Sequence, residues 1–356
     1  MSNHSLSASV AMCTYNGERF LSEQLHSFAA QTVLPDELVV CDDGSTDGTL
    51  EILEDFRRTA PFPVRIYRNE KNLGYVKNFE KAALLCGGDI IFFSDQDDIW
   101  LPEKVEKSLA VFGTEPDVGL LLLLAYTINA QGERTGLYRH CDWEFPEMET
   151  AEPMTLKKIR RGVFWDGCHM VFRSSLRDVL FPTSDMYGHD AWILCVLCAM
   201  TDVRILKSFT DLRRLHEKNF SKRLTVKEVF RETGSFWQSL RLYYERHLDP
   251  GRFLPKFRLY SKVLLRCRRF SEKVRHPEMV ETYELIKNHL AARGEAISRA
   301  FMRPWIIFRE IRNGNYARNP HPVSRILGDI LALPFHGTHG KNVLRQYREK
   351  FTDEKN

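Results

Sequence analysis

The 356-residue sequence predicts an α/β fold. It consists of a mostly parallel, Rossmann-like central sheet flanked by helices, followed by a helical C-terminal region. Two observations carry that expectation. Over the first 115 residues, short apolar runs of strand type alternate with segments whose apolar residues recur at helical spacing. The resulting βαβαβαβα order builds a parallel sheet with helices on its faces. In addition, every polar cluster of this half directly follows a strand: "CTYNGE", "CDDGSTDGT", "RNEKNLGY" and "SDQDD". Ligands of such sheets bind beyond the carboxyl ends of the strands, so these clusters mark one shared binding edge.

Each element has its own signal. "SASVAM" reads as a short strand, and "ERFLSEQLHSFAAQ" places Phe20, Leu21, Leu25 and Phe28 on one helical face. "DELVVCDD" is a buried strand ending in acids. "TLEILEDFRR" is a helix whose start is marked by Ser45, Thr46 and Asp47. "FPVRIYRN", "YVKNFEKAALLC" and "DIIFFSD" read as strand, helix and buried strand, and Pro102 is expected to open the helix "PEKVEKSLAVF". From about 117 the pattern changes. "VGLLLLLAYTINAQGE" reads as a strand and turn, "LYRHCDWEFPEMETAEP" as a loop and "VFWDGCHMVFR" as an antiparallel strand. A buried helix begins near His189-Asp190, and "VRILK" with "TDLRRLHEKN" closes the unit. The expected division is a domain over 1–220, made of the segments 1–115 and 116–220. A basic helical region follows over 221–356, with turns at "LDPGRFLP" and "NPHPVSR".

Composition narrows the class. With 43% hydrophobic and 28% charged residues the chain is globular, and no apolar run is long enough for a transmembrane helix. The start "MSNHSLSASVAM" lacks the basic and apolar regions of a signal peptide, so the expected location is the cytoplasm. Eight scattered cysteines, with the lone pair Cys195-Val-Leu-Cys198 in an apolar run, read as reduced core thiols. The net charge of +4 hides an asymmetry, because residues 251–356 carry 22 Lys/Arg against 10 Asp/Glu. A basic tail behind an acidic front suggests an anionic partner, for which a membrane surface, a phosphorylated lipid or nucleic acid would all qualify.

Three motifs carry chemistry. "Asp95-Gln96-Asp97-Asp98" offers oxygen ligands only, which suits Mg²⁺ or Mn²⁺. Asp95 and Asp97 alternate along the chain and can face one side, where a cation would relieve their repulsion and clamp a diphosphate. The bland alternative is a capped turn ahead of Pro102. "Asp42-Asp43-Gly44-Ser45" leaves its strand so that Asp42 can accept a base N–H or a ribose hydroxyl, with Ser45 or Asp47 capping the next helix. "Thr14-Tyr15-Asn16-Gly17" places an aromatic ring where a base would stack.

In order and spacing, "CTYNGERFLSEQLHSFAAQTVLPDELVVCDDGSTDGTLEIL", "NLGYVKNFEKA" and "SDQDDIWLPEKV" resemble a family 2 glycosyltransferase of GT-A fold over about residues 7–220. The resemblance implies metal-dependent, inverting transfer of a sugar from a UDP- or dTDP-linked donor. The nucleotide-sugar residues it implies are Thr14, Tyr15, Asn16, Glu18, Asp42, Asp43, Asn72, Gly74, Lys77, Asn78, Asp95 and Gln96. Its D-x-D element falls on Asp95 and Asp97, joined as a metal ligand by His216 of the R-x-H-x-x-N element "RLHEKN". The catalytic base falls on Asp190 within "GHDAW", and the acceptor side on Trp165, Asp166, Gly167, His189 and Trp192. One departure is "LLAYTIN" at 123–129, where relatives carrying "SDQDDIW" often have S-D-A.

The resemblance also implies a saccharide or lipid-pyrophosphate-linked acceptor in surface polysaccharide synthesis, in the manner of rhamnosyl-type transferases. Contact of 221–356 with the inner face of the plasma membrane, or a homodimer, fits the basic, aromatic stretch "RLYYERHLDPGRFLPKFRLYSKVLLRCRRF". No nucleic-acid module is visible. Two alternatives stand beside this reading, a metal-dependent nucleotidyltransferase and a noncatalytic sugar-nucleotide binder.

Overall fold

The computed structural model describes residues 6–139, 151–153, 165–184, 188–217, 253–298 and 303–313. Cys141, Asn219, most of the loop "LYRHCDWEFPEMETAEP" and residues 218–252 and 314–356 of the basic region lie outside the described residues. The chain forms two compact units, one of Met1–Thr155, Val163–Asn219 and Arg269–His276, the other of Leu156–Gly162, Phe220–Arg268 and Pro277–Asn356.

In the first unit, β1 (Ala8–Thr14), β2 (Glu37–Asp42), β3 (Val64–Arg68) and β4 (Ile90–Ser94) alternate with α1 (Leu21–Ala29), α2 (Thr49–Thr59) and α3 (Tyr75–Leu85). They pair in the order β3-β2-β1-β4, all parallel. β5 (Ile99–Trp100), α4 (Lys104–Thr114), β6 (Val118–Ile128), β7 (Arg134–Arg139) and β8 (Ala151–Pro153) follow. A 3-10 turn (Gly167–His169) leads into β9 (Met170–Arg173), and α5 (Arg177–Leu180), α6 (His189–Met200) and β10 (Asp202–Arg214) complete the unit. β9 enters antiparallel between β4 and β6, while β10 runs parallel to β6 and antiparallel to β5.

The patterning explains these elements. Residues 120–124 are five consecutive leucines, all buried, because the sheet is covered on both faces there. α6 is buried almost all round, which accounts for the unbroken apolar run "AWILCVLCAM". The helix expected from Pro102 starts instead at Lys104, since Leu101 to Lys104 close a turn through the Lys104 N–H on the Leu101 carbonyl at 3.2 Å. "VRILK" and "TDLRR" join in the single strand β10, which carries register shifts against β6.

That junction rests on a fully buried ion pair. Lys104 Nζ lies 2.5 Å from Asp211 Oδ1, with both side chains essentially inaccessible, and sits 3.8 Å from the centroid of the Trp100 ring. Thr210 Oγ1 donates to the other Asp211 oxygen at 2.7 Å. Asp211 faces Trp100 across β10 and β5, so the pair ties α4 to the strand that ends at the acidic motif.

The second unit contains α7 (Phe253–Arg269), α8 (Pro277–Ser298) and α9 (Arg303–Arg312). Tyr260 packs on Tyr283, and His289 Nδ1 meets Glu310 at 3.0 Å in a buried pair. Among the described residues no helix is long and apolar enough to cross a membrane.

Lys104→Met should cost about 3–5 kcal/mol of folding free energy, since it strands the Asp211 charge in the core. The double variant Lys104→Met/Asp211→Leu should recover most of that loss. Urea denaturation of the two variants beside the wild type checks both.

Candidate active site

The strand ends converge as the polar clusters require. After β4, oxygens of Asp95, Asp97 and Asp98 all lie within 4.8 Å of one another. Asp95 and Asp97 are half-buried and Asp98 is buried. Burial, and after it the Asp97 charge, pushes the Asp95 carboxyl up to about 6; Arg213 and a hydrogen bond from the Cys168 thiol act the other way. The same two causes, burial and then Asp97, raise Asp98 well above the carboxylate range.

The end of β10 brings the counter-charges. His216 Nε2 meets Asp97 Oδ2 at 2.7 Å, and its ring packs on Phe20 with centroids 4.9 Å apart. The Arg214 N–H donates to Asp98 Oδ1 at 2.9 Å. The buried Arg214 guanidinium donates to the Asp97 carbonyl at 3.0 Å and to Glu23 Oε2 at 2.8 Å, lying over Phe20. Arg213 pairs with Asp166 at 2.9 Å. Arg214 opens the R-x-H-x-x-N element that contains His216, whereas Arg213 precedes it and carries no sequence signal.

Gln96 closes the first loop. Its Oε1 accepts the Tyr15 N–H at 2.8 Å and its Nε2 donates to the Tyr15 carbonyl at 3.1 Å. A Cβ on Gly17 would stand 2.3 Å from Gln96 Oε1, so glycine there makes the latch possible. Asn16, at φ 49°, accepts the Thr46 N–H at 2.9 Å, and Glu18 accepts the Gly48 N–H at 2.7 Å at the start of α2. Asp47 takes the Thr49 N–H at 3.1 Å.

The two adjacent acids after β2 have different surroundings. Asp42 is inaccessible and accepts from Thr14 Oγ1 at 2.9 Å, the Ser45 N–H at 2.9 Å and the Ser45 hydroxyl. Asp43 accepts from Asn69 Nδ2 and the Leu73 N–H, both at 2.7 Å, and from the Gly74 N–H at 2.9 Å, where Gly74 has φ 77°. It lines a cleft of about 490 Å³ with Tyr15, Gly44, Arg68, Asn69, Glu70, Lys71 and Asn72. Tyr15 is 52% exposed there, while Asp42 is not among the lining residues. Arg68 and Lys71 are cleft residues that nothing in "RNEKNLGY" distinguishes from ordinary surface charges.

Other candidates serve as framework in the structure. Asn78 is buried and joins the Cys41 carbonyl to Asn69, at 2.7 and 2.8 Å. Lys77 bonds Glu80 at 3.1 Å and the Thr183 carbonyl at 3.3 Å. Asn72 spans the Asp43 carbonyl and the Gly74 N–H. Trp165 and Trp192 are buried and donate to the Leu123 and Leu180 carbonyls, at 2.6 and 2.7 Å.

Asp190 stands half-buried in the first turn of α6, its Oδ1 accepting the Ala191 N–H at 2.7 Å. Beside it His189 is buried among Phe79, Phe93 and Tyr75, with neither ring nitrogen hydrogen-bonded among the described residues. A Cβ on Gly167 would lie 2.1 Å from its Nε2, so this imidazole requires the glycine. Burial lowers the His189 pKa to about 4.

An α/β sheet with acids and a cleft at its carboxyl edge has the architecture of a fold that binds ligands at that edge. Residues 9–180 match the glycosyl transferase family 2 model, and this stretch of the chain belongs to that family. Over 102 residues the chain is 39% identical to the dTDP-rhamnosyl transferase RfbG of Shigella flexneri, covering 28% of this chain and 35% of that one. Over 200 residues it is 29% identical to an uncharacterized glycosyltransferase of Methanocaldococcus jannaschii, covering 53% and 64%. The chain thus spans about a third of the first of these relatives. The fold is that of TarS residues 1–349 from S. aureus, solved with UDP-GlcNAc, at TM-score 0.56 and 18% identity over 97% of this chain and 92% of that one. GalNAc-T7 with UDP, GalNAc and Mn²⁺ matches at TM-score 0.50 and 15% identity, over 72% and 51%. These likenesses establish the GT-A fold.

The His189 environment has a measurable consequence. The folded state holds this ring neutral, whereas an ordinary histidine takes a proton near pH 6.5. Its contribution is therefore complete above about pH 6.5 and is lost as pH falls toward about 4, by up to about 1.4 kcal/mol per pH unit. In urea denaturation at pH about 7 and about 5, His189→Phe should lose less stability on acidification than the wild type.

Proposed function

We propose that this protein is an inverting glycosyltransferase that moves a sugar from a UDP- or dTDP-linked donor to a hydroxyl of a saccharide or lipid-linked saccharide. The observation that carries the reading is the clustering of Asp95, Asp97 and Asp98 at the end of β4, with His216 on Asp97. The donor set fits a hard divalent ion, because it is mainly carboxylate oxygen. Asp95, Asp97 and His216 would hold Mn²⁺ or Mg²⁺, with Asp98 beside them. Such an ion, when bound, offsets the charge that grows on a departing diphosphate.

The chain's own residues supply the rest. The cleft beside Asp43 suits a base and ribose, with the exposed Tyr15 ring available for stacking and Arg68 and Lys71 for polar contact. The Gln96 latch holds the first loop against the acidic motif, so the two sides of the donor site move as one piece. Asp190 takes the proton of the acceptor hydroxyl as that oxygen attacks the anomeric carbon. The bond from that carbon to the diphosphate oxygen breaks with its electron pair leaving on the diphosphate, and the configuration inverts. The N-terminus of α6 favours the ionised form of Asp190 that a base needs. TarS with UDP-GlcNAc and the name of RfbG support a UDP- or dTDP-sugar donor, and GalNAc-T7 supports Mn²⁺.

A screen of UDP-, dTDP- and GDP-sugars with Mn²⁺ or Mg²⁺ tests the reading by donor turnover. Asp190→Asn should lower transfer at least about a hundredfold while donor binding persists. Asp97→Ala should lose Mn²⁺ binding and turnover together. Full turnover in Asp190→Asn would remove it as the base, and no turnover of any donor by well-folded protein would favour a binding role.

The reading extends to contact of the basic region with the inner face of the plasma membrane. α9 turns Ile307 and Glu310 inward and leaves Phe308 and Ile311 exposed, each followed closely by an arginine, Arg309 and Arg312. Apolar side chains framed by arginines suit an anionic lipid surface. The protein should sediment with anionic vesicles and not with neutral ones, and Phe308→Ser/Ile311→Ser should weaken that binding. Equal sedimentation with both vesicle types would sink the membrane role.

A further inference from the structure

The 3-10 turn before β9 places a second donor set against the back of the acidic cluster. A carboxylate oxygen of Asp98, Cys168 Sγ and a ring nitrogen of His169 lie within 4.8 Å of one another, and all three residues are buried. The family-type cluster is built of carboxylates; this one offers one oxygen, one sulfur and one nitrogen. Such a mixture selects Zn²⁺ or another thiophilic ion over Mg²⁺.

An independent observation points the same way. Asp98 is 3% exposed and its Oδ1 is taken by the Arg214 N–H, while its Oδ2 has no hydrogen-bond partner among the described residues. A buried carboxylate oxygen left without a donor is costly, and a cation is the group that would satisfy it. Cys168 meanwhile donates its proton to Asp95 and stands 3.7 Å from Arg213 Nη1. That guanidinium is engaged mainly with Asp166 at 2.9 Å. Burial, and after it the Asp95 and Asp98 charges, pushes the Cys168 thiol up, with Arg213 acting the other way.

We propose that Asp98, Cys168 and His169 form a second cation site, specific for a thiophilic divalent ion such as Zn²⁺. On binding, the Cys168 S–H bond breaks, its proton passes to solvent by way of the half-exposed Asp95, and the sulfur bonds the ion. The bound ion ties the loop after β4, through Asp98, to the turn before β9, two segments that the sheet joins only further back, where Ile90 to Phe92 face Val171 to Arg173. The site does not depend on sugar transfer, and it shares only Asp98 with the cluster assigned above.

The test uses full-length, reduced, metal-free protein and Cd²⁺, whose thiolate complexes absorb in the ultraviolet. Wild type should show a thiolate-to-Cd²⁺ band that saturates with one equivalent, and Zn²⁺ should raise its Tm. Cys168→Ser and Cys168→Ala, each checked for cooperative unfolding, should lose both effects. His169→Gln should keep the band but weaken Cd²⁺ binding by at least about tenfold. Absence of the band in wild type, or an undiminished band in both Cys168 variants, would overturn the proposal. Mn²⁺ binding followed by electron paramagnetic resonance reports separately on Asp95 and Asp97. Failure there would count against the sugar-transferase reading and leave the Cd²⁺ result standing.

Discussion

The arrangement of this molecule depends on keeping several carboxylates together at one strand end without letting their repulsion unfold it. Asp95, Asp97, Asp98 and Asp166 share that neighbourhood. Isolated buried charges are too costly to persist, so counter-charge must be supplied by elements that cannot drift away. β10 does this. Its last residues present Arg213 to Asp166, the Arg214 guanidinium to the Asp97 carbonyl and the Arg214 N–H to the Asp98 carboxylate, and the next turn presents His216 to Asp97. The parallel pairing of β10 with β6, and the buried Lys104–Asp211 pair at its side, hold those three side chains in register. Burial, and after it the Asp97 charge, still raises the Asp95 and Asp98 carboxyls.

A second layer of constraint ties the other strand ends to this one. Gln96 fastens the loop after β1 to the acidic motif through both ends of its amide. Asp43 gathers the loop after β3 by accepting two backbone N–H groups, and Asn69 and Asn78 carry the network on to α3 and the Cys41 carbonyl. Backbone groups in loops must find partners when buried, and here the partners are side chains of neighbouring loops. The cleft beside Tyr15 therefore has walls that are fixed before any ligand arrives, which lowers the ordering cost of binding.

Much of this is legible in the sequence because it rests on local pattern. The alternation of apolar runs places β1 to β4, and the polar clusters place the binding edge. The antiparallel insertion of β9 between β4 and β6 is legible only as a strand of the antiparallel type, since strand partners are set by tertiary packing. Arg213 and Lys104 escape notice for a common reason. A charged residue in a strand or on a helix reads as solvent-facing unless its partner is known, and those partners lie 47 and 107 residues away. The indoles of Trp165 and Trp192 read as acceptor platforms in sequence, yet each is spent on a buried carbonyl.

The pair Asp42-Asp43 shows why sequence stops short at adjacent acids. Two neighbouring carboxylates at a strand end point to different sides, and either can be the one that meets a ligand. Asp42 ends β2 pointing inward, where Thr14 and Ser45 enclose it and fasten the ends of β1 and β2 together. Asp43 then faces the cleft, with its oxygens already drawing in the Leu73 and Gly74 N–H groups. The inner acid sets the direction of the outer one, so replacing Asp42 would misplace Asp43 without removing any cleft contact. The shape of this edge is accordingly the work of both residues, one fastening the strand ends and one lining the cleft.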